Sequence, residues 1–195
     1  MIRQGEPGKA MDLLAENSDL RDPDDAFLMG EAALRTGRYD EAEEAYQKVL
    51  EARPGDLQAS LRLARIAFLQ TRYIESKGRL DGILARFPDH LEALALRSRT
   101  RIRMGDLNGA AADARRWSQL SPKEGEPLRI LGIVQLQRGD PSGAVEMLKR
   151  SVALDPADLR SRQELARAYA EAGQKRLSDE TRREALRMER REREA

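Results

Sequence analysis

Apolar residues recur along the chain in the three- and four-residue steps of amphipathic helices. In residues 40–50 the apolar side chains that share one helix face are Ala42, Ala45, Tyr46, Val49 and Leu50. Further amphipathic segments of similar length follow, with turn residues between them. The pattern predicts an all-α protein.

The amphipathic segments recur with a fixed period. Pro54, Pro88, Pro122 and Pro156 are 34 residues apart, and each follows one such segment and precedes the next. A constant period predicts stacked repeats, each adding one structural unit to its neighbours. The predicted units are 23–56, 57–90, 91–124, 125–158 and an incomplete 159–192.

Other residues of these units resemble the tetratricopeptide repeat (TPR). With the prolines at place 32 of each unit, the first unit has Gly30 at place 8, Ala42 at place 20 and Tyr46 at place 24. Gly37 marks its turn, whereas the second unit has Thr71 there. The resemblance implies a right-handed superhelical solenoid of antiparallel helix pairs, in which small residues let paired helices approach closely.

The ends of the chain differ from the repeats. Residues 1–22 are expected to form an N-terminal half-repeat or capping helix, and residues 175–195 a charged C-terminal capping helix. The array itself covers 23–174, including the first helix of its last unit. Aspartates near the predicted helix starts are candidate N-caps or helix-dipole partners: Asp56, Asp89, Asp106 and Asp158.

Composition and charge fit thin helical layers with much surface. Charged residues make up 35% of the chain and aromatic residues 4%, and the mean hydropathy is −0.69. The net charge of +1 is unevenly distributed: Lys and Arg against Asp and Glu number 7 to 14 in residues 1–56 and 13 to 7 in residues 57–124. This asymmetry gives an acidic end and a basic middle that can orient a charged partner.

The residue inventory argues against catalysis and cofactors. Cysteine is absent and His90 is the single histidine, which excludes disulfides and thiol catalysis and leaves no Cys- or His-based metal site. His90 is expected in a surface loop, and no carboxylates are placed as an acid–base pair. We therefore expect no enzyme activity, cofactor or metal.

No apolar run of about 18 residues occurs, so the chain as given is expected to be soluble without inserting into a membrane. Absence of cysteine fits cytoplasm and periplasm equally, and the arginine- and alanine-rich composition is compatible with a bacterial source.

The resemblance implies that first helices line a concave groove that binds partner segments. At its groove-facing places, the middle of the chain interleaves arginines with large apolar residues. These are Arg62, Arg65, Phe68, Leu69, Arg99, Ile102, Arg103, Arg129, Ile133 and Leu136. We expect them to bind an acidic, amphipathic segment of another protein; the alternative is that the arginines are solvated and the apolar residues pack between helices.

One alternative function fits the charge pattern of the chain, and one does not. The chain could be a structural unit that forms homo-oligomers through its terminal repeats, with the acidic end of one copy meeting the basic middle of another. Nucleic acid is not an expected partner, because Arg97 and Arg101 point away from Arg99 and Arg103 on a helix, and aromatic stacking residues are scarce.

Three residues of the third unit carry structural predictions. Arg97 and Arg101 occupy places that usually pack inward as Leu and Tyr, so they must snorkel or pair with a carboxylate such as Asp113. Trp117 is expected in the core, where its ring fills space that neighbouring alanines leave.

Overall fold

The computed structural model describes residues 22–194, so the predicted N-terminal half-repeat lies outside the described residues except for Asp22. The described part contains ten helices and no strand, which confirms the all-α prediction. The helices are α1 (Pro23–Arg35), α2 (Tyr39–Ala52), α3 (Leu57–Leu69), α4 (Tyr73–Arg86), α5 (Leu91–Arg103), α6 (Leu107–Leu120), α7 (Glu126–Gln137), α8 (Pro141–Leu154), α9 (Leu159–Glu171) and α10 (Lys175–Glu194). None of them is both long and apolar enough to cross a bilayer.

The described part of the chain divides into two compact units, residues 22–88 and residues 89–194. In the first unit, α1 packs on α2 around the buried ring of Tyr46. A Cβ atom added at Gly30 would lie 2.7 Å from Tyr46 Cε1, so only glycine fits there. Phe27 contacts the same ring edge-on, with 5.4 Å between the ring centroids. The aromatic ring at place 24 therefore requires a small residue at place 8.

The second unit repeats this close packing with aliphatic residues. Here α5 packs on α6, α7 on α8 and α9 on α10. A Cβ atom added at Gly132 would lie 2.6 Å from Leu148 Cγ, which is the same pair of places as in the first unit. On α10, Ser178 and Ala185 are buried, and Ser178 Oγ donates a hydrogen bond of 2.8 Å to the carbonyl oxygen of Ala166 on α9.

Most of the aspartates near helix starts are N-caps. Asp56, Asp106 and Asp158 each accept hydrogen bonds from backbone N–H groups of the following first turn. The prediction of Asp89 as an N-cap was wrong. His90 is the N-cap of α5, and its Nδ1 accepts a hydrogen bond of 3.2 Å from the backbone N–H of Ala93. Asp89 lies one residue too early and instead forms an ion pair of 2.6 Å with Arg116. His90 thus lies at the end of the loop that precedes α5, as expected, but it is partly buried and caps the helix.

The turn between α3 and α4 contains a strained residue. Thr71 has φ = 62°, whereas the glycines at the equivalent turns, such as Gly37 and Gly105, have φ = 74° and 77°. A β-branched residue is disfavoured in this left-handed region, because its Cβ substituents crowd the backbone.

Thr71→Gly is expected to raise the free energy of unfolding by about 1 kcal/mol, since relief of strain exceeds the entropy that glycine adds to the unfolded chain. Urea denaturation followed by circular dichroism measures this change. The reverse exchange, Gly105→Thr, should destabilise by a similar amount, and a loss of stability in Thr71→Gly would contradict the expectation.

Candidate protein interface

The first helices of successive pairs lie next to one another in the second unit, where α7 contacts both α5 and α9. In the first unit an ion pair joins the first helices α1 and α3. The ten residues expected to bind a partner lie on α3, α5 and α7. Their surroundings differ greatly from one residue to the next.

Arg62 on α3 is engaged within the first unit. Its Nε donates a hydrogen bond of 2.6 Å to Glu31 Oε1 on α1, and Tyr46 Oη donates to the same oxygen at 2.7 Å. Burial would raise the pKa of the Glu31 carboxyl, but the hydrogen bonds from Arg62 and Tyr46 and the charge of Arg62 outweigh it and lower the pKa. Burial, followed by the contact with Glu31, raises the pKa of Tyr46. The charge of Arg62 is therefore largely used inside the protein.

This contact predicts a pH-dependent contribution to stability. Since the pKa of Glu31 is lowered on folding, its contribution is fully present above its ordinary value of 4.5 and is lost as the pH falls through the folded value. Glu31→Gln is expected to cost roughly 1–2 kcal/mol at neutral pH, where it removes a charged partner of two hydrogen bonds. Denaturation from about pH 6.5 to about pH 3 should show the difference from the parent protein shrinking below about pH 4.5; a pH-independent difference would contradict the assignment.

The other α3 residues form a mixed surface. Arg65 and Phe68 are partly buried, and the ring of Phe68 lies 5.7 Å from that of Tyr73, centroid to centroid. Leu69 is 45% exposed. This end of α3 thus presents an aliphatic side chain beside a partly covered aromatic ring.

A chain of ion pairs joins the first helices of the second unit. Arg99 Nη2 on α5 lies 2.5 Å from Glu126 Oε1 on α7, and Arg129 Nη2 lies 2.7 Å from the same oxygen. Arg129 Nε is 3.6 Å from Asp158 Oδ2 at the start of α9, beyond hydrogen-bonding distance. Arg99 is half-exposed, whereas Arg129 is only 9% exposed. Arg129 therefore holds neighbouring helices together more than it offers a surface to a partner.

The remaining four residues divide between surface and core. Arg103 at the end of α5 is exposed and has no partner within residues 22–194. Ile102 and Ile133 are partly buried, and Ile102 packs on the small cluster around Val134. Leu136 is buried in the core shared by α7, α8 and α9. Arg99, Ile102, Arg103 and Ile133 are thus the members that keep accessible surface in the second unit.

The sequence did not reveal the role of Glu126 as the shared counter-ion of two arginines. Glu126 stands at place 2 of its unit. Three of the five units have an acidic residue at this place, Asp24, Glu92 and Glu126, and this recurrence was the sequence signal that could have indicated the role. Within residues 22–194, no group of three or more histidine, aspartate or glutamate side chains could hold a metal ion.

Similarity to known proteins agrees with this architecture. The sequence model of the tetratricopeptide repeat family matches residues 33–100 and 135–176. Protein CTR9 homolog of Arabidopsis thaliana is 32% identical over 130 residues, which make up 66% of this chain but only 12% of that protein. A MamA structure from Desulfovibrio magneticus RS-1 is 24% identical, with a TM-score of 0.71 over 80% of this chain and 89% of the other. A tetratricopeptide repeat protein from Parabacteroides merdae is 16% identical, with a TM-score of 0.82 over 95% of this chain and 74% of the other.

The fold is that of an all-α repeat solenoid built from helix pairs. The family match covers more than half of the sequence, and the chain belongs to the tetratricopeptide repeat family. This fold supports a role as a protein–protein interaction scaffold, and the family is typically non-catalytic.

Proposed function

We propose that this chain is a non-catalytic interaction module whose first helices bind an acidic, amphipathic segment of a partner protein. The observation that carries the proposal is the surface around Arg103, an exposed cation without a counter-ion among the described residues. Arg99 lies one helical turn before it on the same side of α5, and Ile102 lies beside both on the adjoining side of the helix. Two cations beside an apolar side chain match a segment in which carboxylates lie beside an apolar anchor.

The ion pairs within the protein limit which arginines are available to bind a partner. The pair between Arg99 and Glu126 is half-exposed, and such pairs contribute about 0–1 kcal/mol, so a partner carboxylate can replace Glu126 at small cost. Arg129 is buried, and breaking its contacts would be expensive. Arg62, Arg65, Phe68 and Leu69 would form a separate part of the surface, on the first unit. The proposed contact in the second unit is thus Arg99, Ile102, Arg103 and Ile133, with Arg129 and Leu136 beneath it.

A charge-reversal experiment tests this assignment. A partner is first captured from the native cell by cross-linking and identified by mass spectrometry. The double variant Arg99→Glu, Arg103→Glu is then expected to bind its acidic segment about tenfold more weakly than the parent chain, because attraction becomes repulsion. The difference should shrink at high salt, where exposed charges are screened.

The matched control is the double variant Arg115→Glu, Arg150→Glu, which changes the net charge equally on exposed places of the second helices α6 and α8. It should bind like the parent chain. Equal affinities of the two double variants for the partner would refute the proposed surface.

A second candidate function is self-assembly through the terminal repeats. It is favoured by the charge of residues 22–56, which contain 4 Lys and Arg against 10 Asp and Glu, opposite in sign to the middle of the chain. Light scattering over a range of protein and salt concentrations distinguishes this function, because a monomer at every condition would exclude it.

A further inference from the structure

A hollow of about 400 Å³ lies between α9 and α10, on the last helix pair. Ala166, Ala170 and Ala185 form its apolar part, and its polar edge is lined by Gln163, Arg167, Glu171 and Arg182. Ala166 and Ala185 are almost fully buried at its base. The volume falls within the range of about 300–1,000 Å³ found for pockets that bind organic groups.

The same places of the preceding pair are covered by a helix. In α7 and α8 the residues at places 8, 12, 24 and 27 are Gly132, Leu136, Leu148 and Ser151. Helix α9 packs on them with Leu165 and Tyr169, which share one apolar cluster with Leu136 and Leu148. The hydroxyl of Ser161 on α9 also lies 2.7 Å from that of Ser151. These places therefore form the seat for a following helix.

The pair α9 and α10 presents the same four places, but its side chains there fill less space. Ala170 stands where the preceding pair has Leu136, and Arg182 stands where it has Leu148. A smaller side chain and a charged one leave space that leucines occupy in the preceding pair, and the hollow is the result. Leu186, next to Ala185 on α10, is 50% exposed.

The charges at the edge select among possible occupants. Arg182 is exposed and has no partner among the residues that the structure describes. Arg167 pairs with Glu171 at 2.8 Å and lies 3.8 Å from Glu164, but it keeps about half of its side chain exposed. Among the described residues, the uncompensated charge at the edge is therefore that of Arg182. An occupant that carries carboxylates beside its apolar face complements this edge.

We propose that the hollow seats an amphipathic helix of a partner protein in the position that α9 takes on the preceding pair. Its apolar residues follow the spacing of Leu165, Ala168 and Tyr169, and its flank carries carboxylates that face Arg182 and Arg167. The inference rests on the proposed function, because it assigns a helical conformation and a second contact place to the acidic partner segment.

A synthetic peptide provides the probe. It has the sequence of residues 158–172 with Arg160→Glu, Arg162→Glu and Arg167→Glu, which keeps the apolar face of α9 and makes the flanks acidic. A control peptide of the same charge carries Leu165→Ser and Tyr169→Ser in addition. Fluorescence anisotropy of the labelled peptides with the full chain should show binding of the first and at least about tenfold weaker binding of the second, because only the first has an apolar face to bury.

Variants of the chain distinguish peptide binding at the hollow from binding at the arginines of α5. Ala170→Trp fills the hollow at an exposed place and should weaken peptide binding at least about tenfold, whereas Ala112→Trp, an exposed place on α6, should leave it within about twofold. Arg182→Glu should weaken binding and reduce its salt dependence. Unchanged thermal unfolding of each variant confirms that the chain still folds.

Each outcome has a definite meaning. Absence of binding, or binding that Ala170→Trp leaves unchanged, overturns the inference. If Arg99→Glu, Arg103→Glu abolishes binding and Ala170→Trp does not, the proposed function stands and the helix seat fails. If light scattering shows oligomers of the chain that Ala170→Trp dissociates, the occupant is a second copy and the assignment to another protein is overturned.

Discussion

Replacing Asp113 by alanine is expected to lower the free energy of unfolding by about 3–5 kcal/mol, because it leaves buried charges unpaired. Asp113 on α6 is only 4% exposed and is bound by two arginines of α5. Arg97 donates from Nε at 3.0 Å and from Nη2 at 2.7 Å, and Arg101 donates from Nη1 at 2.8 Å. Removing the carboxylate deprives two largely buried guanidinium groups of their shared counter-ion, and Arg101 then keeps the more exposed Asp106, at 3.4 Å, as its counter-ion.

Urea denaturation and hydrogen exchange measure the loss. Because each pair of a repeat protein contacts mainly its neighbours, exchange should increase most in α5 and α6. A loss of less than about 1 kcal/mol would show that water compensates the arginines, contrary to this account.

A triple variant distinguishes the charge from the packing. Arg97→Leu, Arg101→Tyr and Asp113→Ala together remove all three charges, and the first two introduce the residues that the family resemblance implies at those places. Such replacements of buried ion networks are often neutral or stabilising by about 1–4 kcal/mol, so the triple variant should be more stable than Asp113→Ala alone. The ion-pair network would then contribute more to the specific pairing of α5 with α6 than to the free energy of unfolding.

Trp117→Ala is expected to cost about 3–5 kcal/mol, because truncating a buried aromatic residue removes its burial and leaves a cavity. Trp117 is 4% exposed, which confirms the prediction that it belongs to the core. Its Nε1 donates a hydrogen bond of 2.8 Å to Glu124 Oε2 in the loop after α6. The indole therefore both fills space beside the small residues of α6 and fixes the following loop.

Trp117→Phe is the matched control. It keeps most of the apolar volume and loses the hydrogen bond, so it should cost less than half as much as the alanine variant, about 1–2 kcal/mol. Thermal unfolding with circular dichroism detection compares the two. Equal losses would mean that the hydrogen bond, not the cavity, dominates.

Much of the fold could be read from residue spacing, because helix pairs repeat local patterns. The 34-residue period, the glycine turns and the close contact of Gly30 with Tyr46 all reflect short-range sterics. The pairing of Arg97 and Arg101 with Asp113 was predictable and is confirmed, since a charge at an inward place must be compensated by a nearby carboxylate. His90 shows the limit of such predictions. The helix begins one residue later than a cap at Asp89 would require, so His90 is the N-cap instead.

The candidate interface was less predictable than the fold. The resemblance to the family implied that Arg62, Arg99 and Arg129 face the groove, but it could not tell which carboxylate would bind each of them. Glu31 binds Arg62, and Glu126 binds both other arginines. That outcome depends on side-chain rotamers and on competition among partners from different helices, neither of which is encoded in a local pattern.

The helices, their period, the resemblance to the family and the uneven charge could be read from the order of residue types along the chain. The internal ion pairs of the arginines, the exposure of Arg103 and the hollow between α9 and α10 emerge only in the folded molecule. The physical reason is that counter-ions and cavities depend on distances and volumes shared by several helices, which packing fixes only after the repeats have stacked.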